Sequence, residues 1–183
     1  MEYTLATTEI ELQQILHIQQ ENYLSNVSSD KKVSDGFVTV QHSLELLSKM
    51  NQSARQVIAI DKGMVVGYAL VMTKEFSSHI PVLGPMFETF KKISYQGKIL
   101  DNYSFYVMGQ ICISETYRGQ GIFRELYNTH KRYYSDSFDL CVTEVSTSNQ
   151  RSMKAHESIG FKTIHTFEDE TDQWNIIVWD WNK

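Results

Sequence analysis

Hydrophobic residues along the chain switch between helical spacing and strand-like runs. Residues 3–6 form a short run typical of a strand. Thr8 and Glu11 have the spacing of a capping box, and apolar residues follow at helical intervals as far as about residue 24. We therefore predict a first strand and a first helix.

The next segment predicts a loop, a helix and a hairpin. Residues 25–35 are polar, and residues 40–50 carry apolar side chains on one helical face. Two runs rich in β-branched residues, 56–60 and 64–73, flank three residues that end in glycine. This pattern indicates two antiparallel strands joined by a tight turn.

The second half repeats strands and helices after an interruption. Both prolines lie in residues 77–102, which we interpret as an excursion between strands. Strand-like runs at 103–114 and 138–146 are each followed by a helical pattern, and two more strands are predicted at 161–167 and 174–181.

Composition favours one globular domain over the whole chain, residues 1–183. The chain is 42% hydrophobic, carries a formal net charge of −5, and has no apolar run long enough to span a bilayer. Residues 1–11 lack the basic segment followed by an apolar segment that is typical of a signal peptide. We expect a cytoplasmic protein that binds neither a membrane nor, because its basic residues do not cluster, nucleic acid.

The cysteines and histidines suggest no metal chemistry. Cys112 and Cys141 each lie in an apolar strand-like run, which suits reduced, structural thiols better than a disulfide. The six histidines lack the short spacings of metal ligands, so no metal is expected.

The most informative segment runs from a strand through a glycine turn into a helix. Gly119 and Gly121 permit close approach of the backbone, and the N–H groups at a helix start favour phosphate oxygens. No Lys-Ser/Thr pair follows, and Arg124 stands at the third glycine position of a Rossmann fingerprint. A plain strand-to-helix connection is the alternative interpretation.

A second segment, residues 149–161, makes the pattern specific. Together the two segments resemble the motifs of the GNAT N-acetyltransferase superfamily. The matching positions are Arg118, Gly121 and, imperfectly, Phe123 in the first motif, and Asn149, Ser152, Glu157, Gly160 and Phe161 in the second. The resemblance covers roughly residues 64–181. It implies an α+β fold with a single mixed, mostly antiparallel sheet of six to seven strands, flanked by about four helices, with parallel strands splayed at the cofactor cleft.

The resemblance also implies acetyl-CoA as co-substrate and assigns residues to it. The pyrophosphate would bind the backbone of Gly119, Gln120, Gly121, Ile122 and Phe123, which Arg118 precedes. The pantetheine arm would pair with Ile111, Cys112 and Ile113 as a peptide strand would. Asn149 would reach the same arm, or serve as a plain helix cap, or do both.

Two residues depart from the family pattern. Phe123 replaces a small residue at the end of the first motif. His156 stands where the family commonly places the tyrosine that protonates the departing thiolate. A histidine can donate a proton near neutral pH, but His156 shares a helix face with Ser152 and Ile159 and is equally suited to packing.

The acceptor amine must lose a proton, and Glu144 is the first candidate base, with Glu75 the second. Neither cysteine has a signal for thiolate activation, so direct transfer is preferred. The alternative function is a non-catalytic acyl-CoA-binding module; a third interpretation is an α/β interaction domain without a ligand.

The acceptor is a small-molecule or peptide amine, a choice that the sequence leaves open. Aromatic residues of the 77–102 region and its flanks suit an acceptor pocket, the core or a homodimer surface; they are Phe76, Phe87, Phe90, Tyr95 and Tyr103. Four of the five acidic residues after position 160 lie in 168–172. This loop often borders the acceptor side in the family, so its charge favours a cationic amine.

Overall fold

The computed structural model describes residues 1–23 and 40–181. The elements of the first part are β1 (Glu2–Leu5), α1 (Glu9–Glu21), α2 (Leu44–Ser53), β2 (Val57–Asp61) and β3 (Met64–Met72). The predicted loop at 25–35 lies outside the described residues.

The remaining elements begin with 3₁₀ turns at Lys74–His79 and Pro81–Leu83. They continue with α3 (Gly84–Phe90), β4 (Ser94–Tyr95), β5 (Lys98–Ile99), β6 (Phe105–Ile113), α4 (Ile122–Tyr134), β7 (Leu140–Ser146), α5 (Gln150–Ile159), β8 (Lys162–Glu168) and β9 (Gln173–Asp180). No helix in the described part of the chain is both long enough and apolar enough to cross a membrane.

Seven strands form one mixed sheet in the order β1-β2-β3-β6-β7-β9-β8, while β4 and β5 form a separate pair. The β1–β2, β2–β3, β7–β9 and β8–β9 pairs are antiparallel. The β6–β7 pair is parallel, and its register runs from Phe105 opposite Leu140 to Val107 opposite Val142. The predicted fold class is therefore confirmed.

Contacts between Cα atoms divide the chain into two compact units. Unit 1 contains residues 1–72 and 108–133, and unit 2 contains residues 73–107 and 134–183. The assignment of residues 1–183 to one catalytic domain stays a prediction.

Unit 1 is built on α1 and α2 packed against β3. The predicted capping box is present: Thr8 Oγ1 accepts from Glu11 N at 3.2 Å, and Glu11 Oε2 accepts from Thr8 N at 2.8 Å. The second helix begins at Leu44 rather than near residue 40, because the Ser43 side chain caps it by accepting from the N–H of Leu46.

The β2–β3 hairpin has the turn that the sequence predicts. Lys62 and Gly63 both have positive φ values, 49° and 81°. Two consecutive left-handed residues match the twist of a tight two-residue turn, and glycine takes the second without a steric penalty.

Unit 2 buries most of the aromatic residues of the excursion. Phe76, Phe87 and Phe90 are buried, and the Phe90 ring packs edge-on against Phe105 at 5.4 Å. Tyr95 and Tyr103 are half-buried and pack on each other with tilted rings, whose centroids lie 5.9 Å apart. The three phenylalanines are therefore core residues rather than walls of an open pocket.

A chain of large rings along β9 completes unit 2. Trp179 lies 5.7 Å from Phe161 and 5.6 Å from Trp181, between ring centroids. Gly160 ends α5 with φ 118°, as predicted, and a Cβ added there would lie 3.1 Å from Trp179 Nε1. Backbone conformation and space both require glycine at that position.

Candidate active site

The glycine turn of unit 1 is open on its outer side. Gly119 and Gly121 have φ values of 75° and 80°, and a Cβ added to either would meet no atom within 4 Å. Within the described residues, the backbone N–H groups from Gly119 to Ile122 have no protein acceptor. These donors stand at the start of α4, where the helix dipole adds positive potential. The turn therefore fits the pyrophosphate of a coenzyme.

The side chain of Arg118 binds protein atoms beside this turn. Its Nε donates to the carbonyl oxygen of Ile113 at 3.1 Å, and its Nη2 donates to Asn22 Oδ1 at 2.6 Å. Asn22 is buried and forms the C-cap of α1. Arg118 thus ties the end of α1 to the end of β6, just before the turn.

The end of β6 has two distinct edges. Ser114 donates from its backbone N to Val66 O at 2.9 Å, and the carbonyl of Cys112 also faces β3. Because backbone groups alternate along a strand, Ile111 and Ile113 direct theirs to the opposite edge. Ile111 has both its backbone N–H and its carbonyl on that edge, whereas the carbonyl of Ile113 already accepts a hydrogen bond from Arg118.

Gly67 is a site residue that the sequence analysis missed. A Cβ added there would lie 3.3 Å from the Cys112 carbonyl oxygen and 3.4 Å from Cγ2 of Ile122. The glycine therefore lets β3 approach both β6 and the first residue of α4. Its signal in the sequence is a glycine within an otherwise β-branched run.

Neither cysteine has the properties of an activated thiol. Both are free; Cys141 is buried, and burial raises the pKa of the half-buried Cys112 to about 11. A thiol with this pKa is almost entirely protonated at neutral pH.

Glu144 of unit 2 is a half-buried carboxyl on β7, opposite Ile176 of β9. Burial, as the larger cause, and the negative charge of Asp169 together raise its pKa to about 8. A carboxyl with a pKa near the working pH can accept a proton efficiently.

The acidic loop that carries Asp169 is fixed by its own hydrogen bonds. Asp169 Oδ1 accepts from Thr171 N at 2.7 Å and Asp172 N at 3.0 Å, and Asp172 Oδ2 accepts from Ser146 Oγ at 2.7 Å. Glu168 and Glu170 are exposed. The structure thus brings Glu144 and Asp169 together within unit 2, through contacts that hydrophobic patterning does not reveal.

Asn149 caps α5, as the sequence predicts. Its Oδ1 accepts from Ser152 N at 3.0 Å. Its Nδ2 has no acceptor within the described part of the protein, so the amide can cap the helix and still donate to a ligand.

His156 is buried in unit 2, with 2% of its surface exposed. Its Nδ1 lies 2.8 Å from the carbonyl oxygen of Ser152, and its ring packs edge-on against Phe161 at 5.2 Å. Burial lowers the pKa of His156 to about 4. A neutral ring that gives its Nδ1 proton to a backbone carbonyl is suited to packing; the acid role stays a prediction.

Two other residues singled out in the sequence, Glu75 and Phe123, lie at positions that do not indicate a role in the site. Glu75 is exposed on the 3₁₀ turn after β3, and Phe123 packs on Tyr127 of its own helix at 5.1 Å. Among the residues that the structure describes, no group of three or more metal-ligating side chains is close enough to hold an ion.

Comparison with known proteins identifies the family. A profile of the acetyltransferase (GNAT) family matches residues 12–161. No curated protein sequence matches the chain.

Solved structures share the fold at low sequence identity. The ribosomal-protein-S18-alanine N-acetyltransferase of Escherichia coli is 15% identical, with 98% of this chain and 92% of that chain covered and a TM-score of 0.61. A GNAT-family acetyltransferase of Streptococcus agalactiae is 14% identical, with 100% of this chain and 96% of that chain covered and a TM-score of 0.66. The NatC complex bound to Gag peptide and CoA contains a chain that is 11% identical over 98% of both chains, with a TM-score of 0.62.

Three observations agree with one another: the two sequence motifs, the mixed sheet with its parallel strand pair, and the family match over most of the sequence. The chain belongs to the acetyltransferase (GNAT) family and is an N-acetyltransferase whose co-substrate is acetyl-CoA.

Proposed function

We propose that this enzyme acetylates a primary amine by direct transfer from acetyl-CoA. The observation that carries the proposal is the open glycine turn in a chain of the GNAT family: its N–H groups from Gly119 to Ile122 have no acceptor among the residues that the structure describes. Acetyl-CoA supplies an activated thioester: a carbon–nitrogen bond to the amine forms, the carbon–sulfur bond breaks, the amine loses a proton, and CoA leaves as its thiol.

In this proposal, the backbone from Gly119 to Phe123 holds the pyrophosphate, and the free edge of β6 holds the pantetheine arm. Ile111 contributes both its N–H and its carbonyl, and Ile113 contributes its N–H because Arg118 occupies its carbonyl. The backbone groups of Cys112 face β3, so this residue borders the arm without pairing with it. Asn149 contributes its Nδ2 amide.

Glu144 acts as the general base that takes the proton from the amine. Its carboxyl is half-buried, and its pKa of about 8 is far closer to neutrality than that of an exposed glutamate. Direct transfer agrees with the raised pKa of Cys112, because an acyl-enzyme route requires a thiolate.

An acetylation screen over amine classes, followed by CoA release, tests the proposed function. We expect turnover with at least one class among small amines, peptide N-termini and peptide lysines, and its loss in Glu144→Gln. Calorimetry with acetyl-CoA separates the rivals. Binding without turnover of any amine would support the non-catalytic acyl-CoA-binding module, and absence of binding by the folded protein would reject both functions.

We also propose that the acceptor is cationic before it reacts. The support is the acidic loop, whose exposed Glu168 and Glu170 take no part in the hydrogen bonds that fix Asp169 and Asp172. The double variant Glu168→Gln/Glu170→Gln should raise the KM of the amine at low salt and have little effect at high salt. An unchanged KM at low salt would leave the loop with no part in acceptor attraction.

A further inference from the structure

The segment between β6 and the glycine turn makes a side-chain contact that has no part in the mechanism above. Residues Glu115–Tyr117 form a 3₁₀ turn directly before Arg118. The hydroxyl group of Tyr117 donates to Asp61 Oδ2 at 3.0 Å, across 56 positions of the sequence. Both residues belong to unit 1 and both are half-buried. The hydrogen bond therefore ties the segment that leads into the glycine turn to the last residue of β2.

Asp61 lies in a well-fixed part of the sheet. It pairs with Met64 across the β2–β3 hairpin, next to the tight turn between these strands. The hairpin is also held by Gln14 of α1, whose Oε1 accepts from the backbone N of Val65 at 2.8 Å. A donor bound to a fixed acceptor is itself held in place, so Asp61 can determine where the Tyr117 ring lies.

The chemistry of the pair decides which group donates. A carboxylate can only accept, so the Tyr117 hydroxyl is the donor. The Asp61 carboxylate raises the pKa of this phenol above its usual value of 10.0, chiefly through the hydrogen bond. The phenol therefore keeps its proton at neutral pH. A hydrogen bond to an ionised acceptor is also stronger than one between neutral groups.

Tyr117 and Arg118 are consecutive residues whose side chains reach different elements. Arg118 donates to Asn22 at the end of α1, whereas Tyr117 donates to the end of β2. The chain just before Gly119 is thus held from two elements of unit 1. On the other side of the turn, the buried side chain of Ile122 fixes the start of α4. Backbone N–H groups bind an anion well only when their directions are set in advance, which requires a fixed chain on both sides.

From this arrangement we infer that Tyr117 and Asp61 are positioning residues for the coenzyme. Their hydrogen bond holds the chain before the glycine turn in the orientation in which the N–H groups from Gly119 to Ile122 bind the pyrophosphate. Both residues act through the turn and not on the reacting atoms. The inference rests on the proposed function, in which this turn holds the pyrophosphate of acetyl-CoA.

Four substitutions test the pair. Tyr117→Phe removes the hydroxyl group and keeps the ring. Asp61→Ala removes the acceptor, together with the Oδ1 atom that lies 3.9 Å from the amino nitrogen of Met1. Asp61→Asn is the conservative variant, because its amide oxygen can still accept from the phenol. Tyr95→Phe is the matched control, since Tyr95 donates to Asp180 Oδ2 at the same distance of 3.0 Å but within unit 2.

The probes are CoA and pantetheine, which has the arm of CoA and lacks its pyrophosphate. Calorimetry gives the Kd of CoA, and competition with CoA gives that of pantetheine. Tyr117→Phe and Asp61→Ala should each raise the Kd of CoA about fivefold, the worth of one hydrogen bond. The double variant should raise it no further, and Asp61→Asn should restore most of the affinity. The Kd of pantetheine should stay unchanged in all of them, as should the Kd of CoA in Tyr95→Phe.

A hydrogen bond with a structural role alone predicts a lower Tm and an unchanged Kd of CoA, measured where circular dichroism shows each variant to be folded. An unchanged Kd of CoA in Tyr117→Phe overturns the inference and leaves acetyl transfer intact. Additive effects of the two substitutions, or an equal rise in Kd for CoA and pantetheine, overturn it as well. Absence of CoA binding by the folded wild type rejects the proposed function instead.

Discussion

Arg118 donates a hydrogen bond from Nε to the carbonyl oxygen of Ile113, 3.1 Å away, across the turn that separates β6 from α4. The same guanidinium reaches Asn22 at the end of α1. An arginine at this position of the first motif invites the interpretation of a direct phosphate ligand. Its hydrogen bonds show that it also ties the end of β6 to the end of α1, just before the turn.

Arg118→Ala should raise the KM for acetyl-CoA about tenfold and leave kcat nearly unchanged, because it loosens the turn and leaves Asn22 Oδ1 without this donor. Steady-state kinetics at saturating amine measures both parameters. Arg132→Ala is the matched control, since Arg132 also donates to a backbone carbonyl, that of Tyr3, at 2.8 Å. Equal KM values in the two variants would contradict a special role for Arg118.

The base assignment predicts the pH profile. Glu144 must be ionised to accept a proton, so kcat/KM should rise with pH up to about 8 and then level off. Asp169→Asn removes the charge that raises the pKa of Glu144, and should move the rising limb to lower pH. An asparagine Oδ1 can still accept from Thr171 and Asp172, so the loop is retained. If kcat/KM of Asp169→Asn rises over the same pH range as that of the wild type, the result would argue against Glu144 as the base.

The same pKa predicts a cost in stability. Above the usual pKa of 4.5, an unfolded chain loses the Glu144 proton, whereas the folded protein keeps it up to about pH 8. The folded state therefore binds more protons in this window, and the free energy of unfolding falls as pH rises. Glu144→Gln should match the wild type in Tm near pH 4 and exceed it by about 5 °C at pH 9. A constant difference at all pH values would disprove the raised pKa.

Gly67→Ala should weaken both the fold and acetyl-CoA binding. The added methyl group would lie within 3.4 Å of Cys112, Ile113 and Ile122, which costs about 1–3 kcal/mol in a packed core. We expect a fall in Tm of several degrees and a higher KM for acetyl-CoA. Gly84→Ala is the control, because its Cβ would meet nothing within 4 Å and its φ is −51°. If both substitutions change Tm and the KM for acetyl-CoA to a similar extent, Gly67 has no specific role in positioning β3.

His156→Phe distinguishes a packed histidine from a proton donor. The contacts of the ring predict a lower Tm, because the hydrogen bond to Ser152 is lost, and a change in kcat of less than about threefold at pH 7. Thermal unfolding and turnover at saturating substrates measure the two effects. A fall in kcat of tenfold or more at unchanged Tm would instead establish the acid role.

Signals between neighbouring residues predicted much of the fold. The Thr8–Glu11 capping box, the Asn149 cap and the end of α5 at Gly160 depend on a few consecutive residues. The start of α2 was misplaced because an apolar face continues through residue 40, whereas the serine cap decides where the helix begins.

Interactions distant in sequence could not be predicted in the same way. The partner of Arg118 on α1, the contact of Gly67 with β6 and the effect of Asp169 on Glu144 all require the folded chain. Periodicity places residues on faces of helices and strands, but it does not say which faces meet or how far a side chain is removed from water. The site is therefore predicted as a set of positions, and its proton chemistry comes from the structure.

The tryptophans in β9 and directly after it have a spectroscopic consequence. The chain has three tryptophans, at positions 174, 179 and 181, and all belong to unit 2. Intrinsic tryptophan fluorescence therefore reports on unit 2 alone, while far-ultraviolet circular dichroism includes the helices of unit 1. Denaturation curves recorded by both probes would coincide for a single cooperative transition and separate if either unit unfolds first.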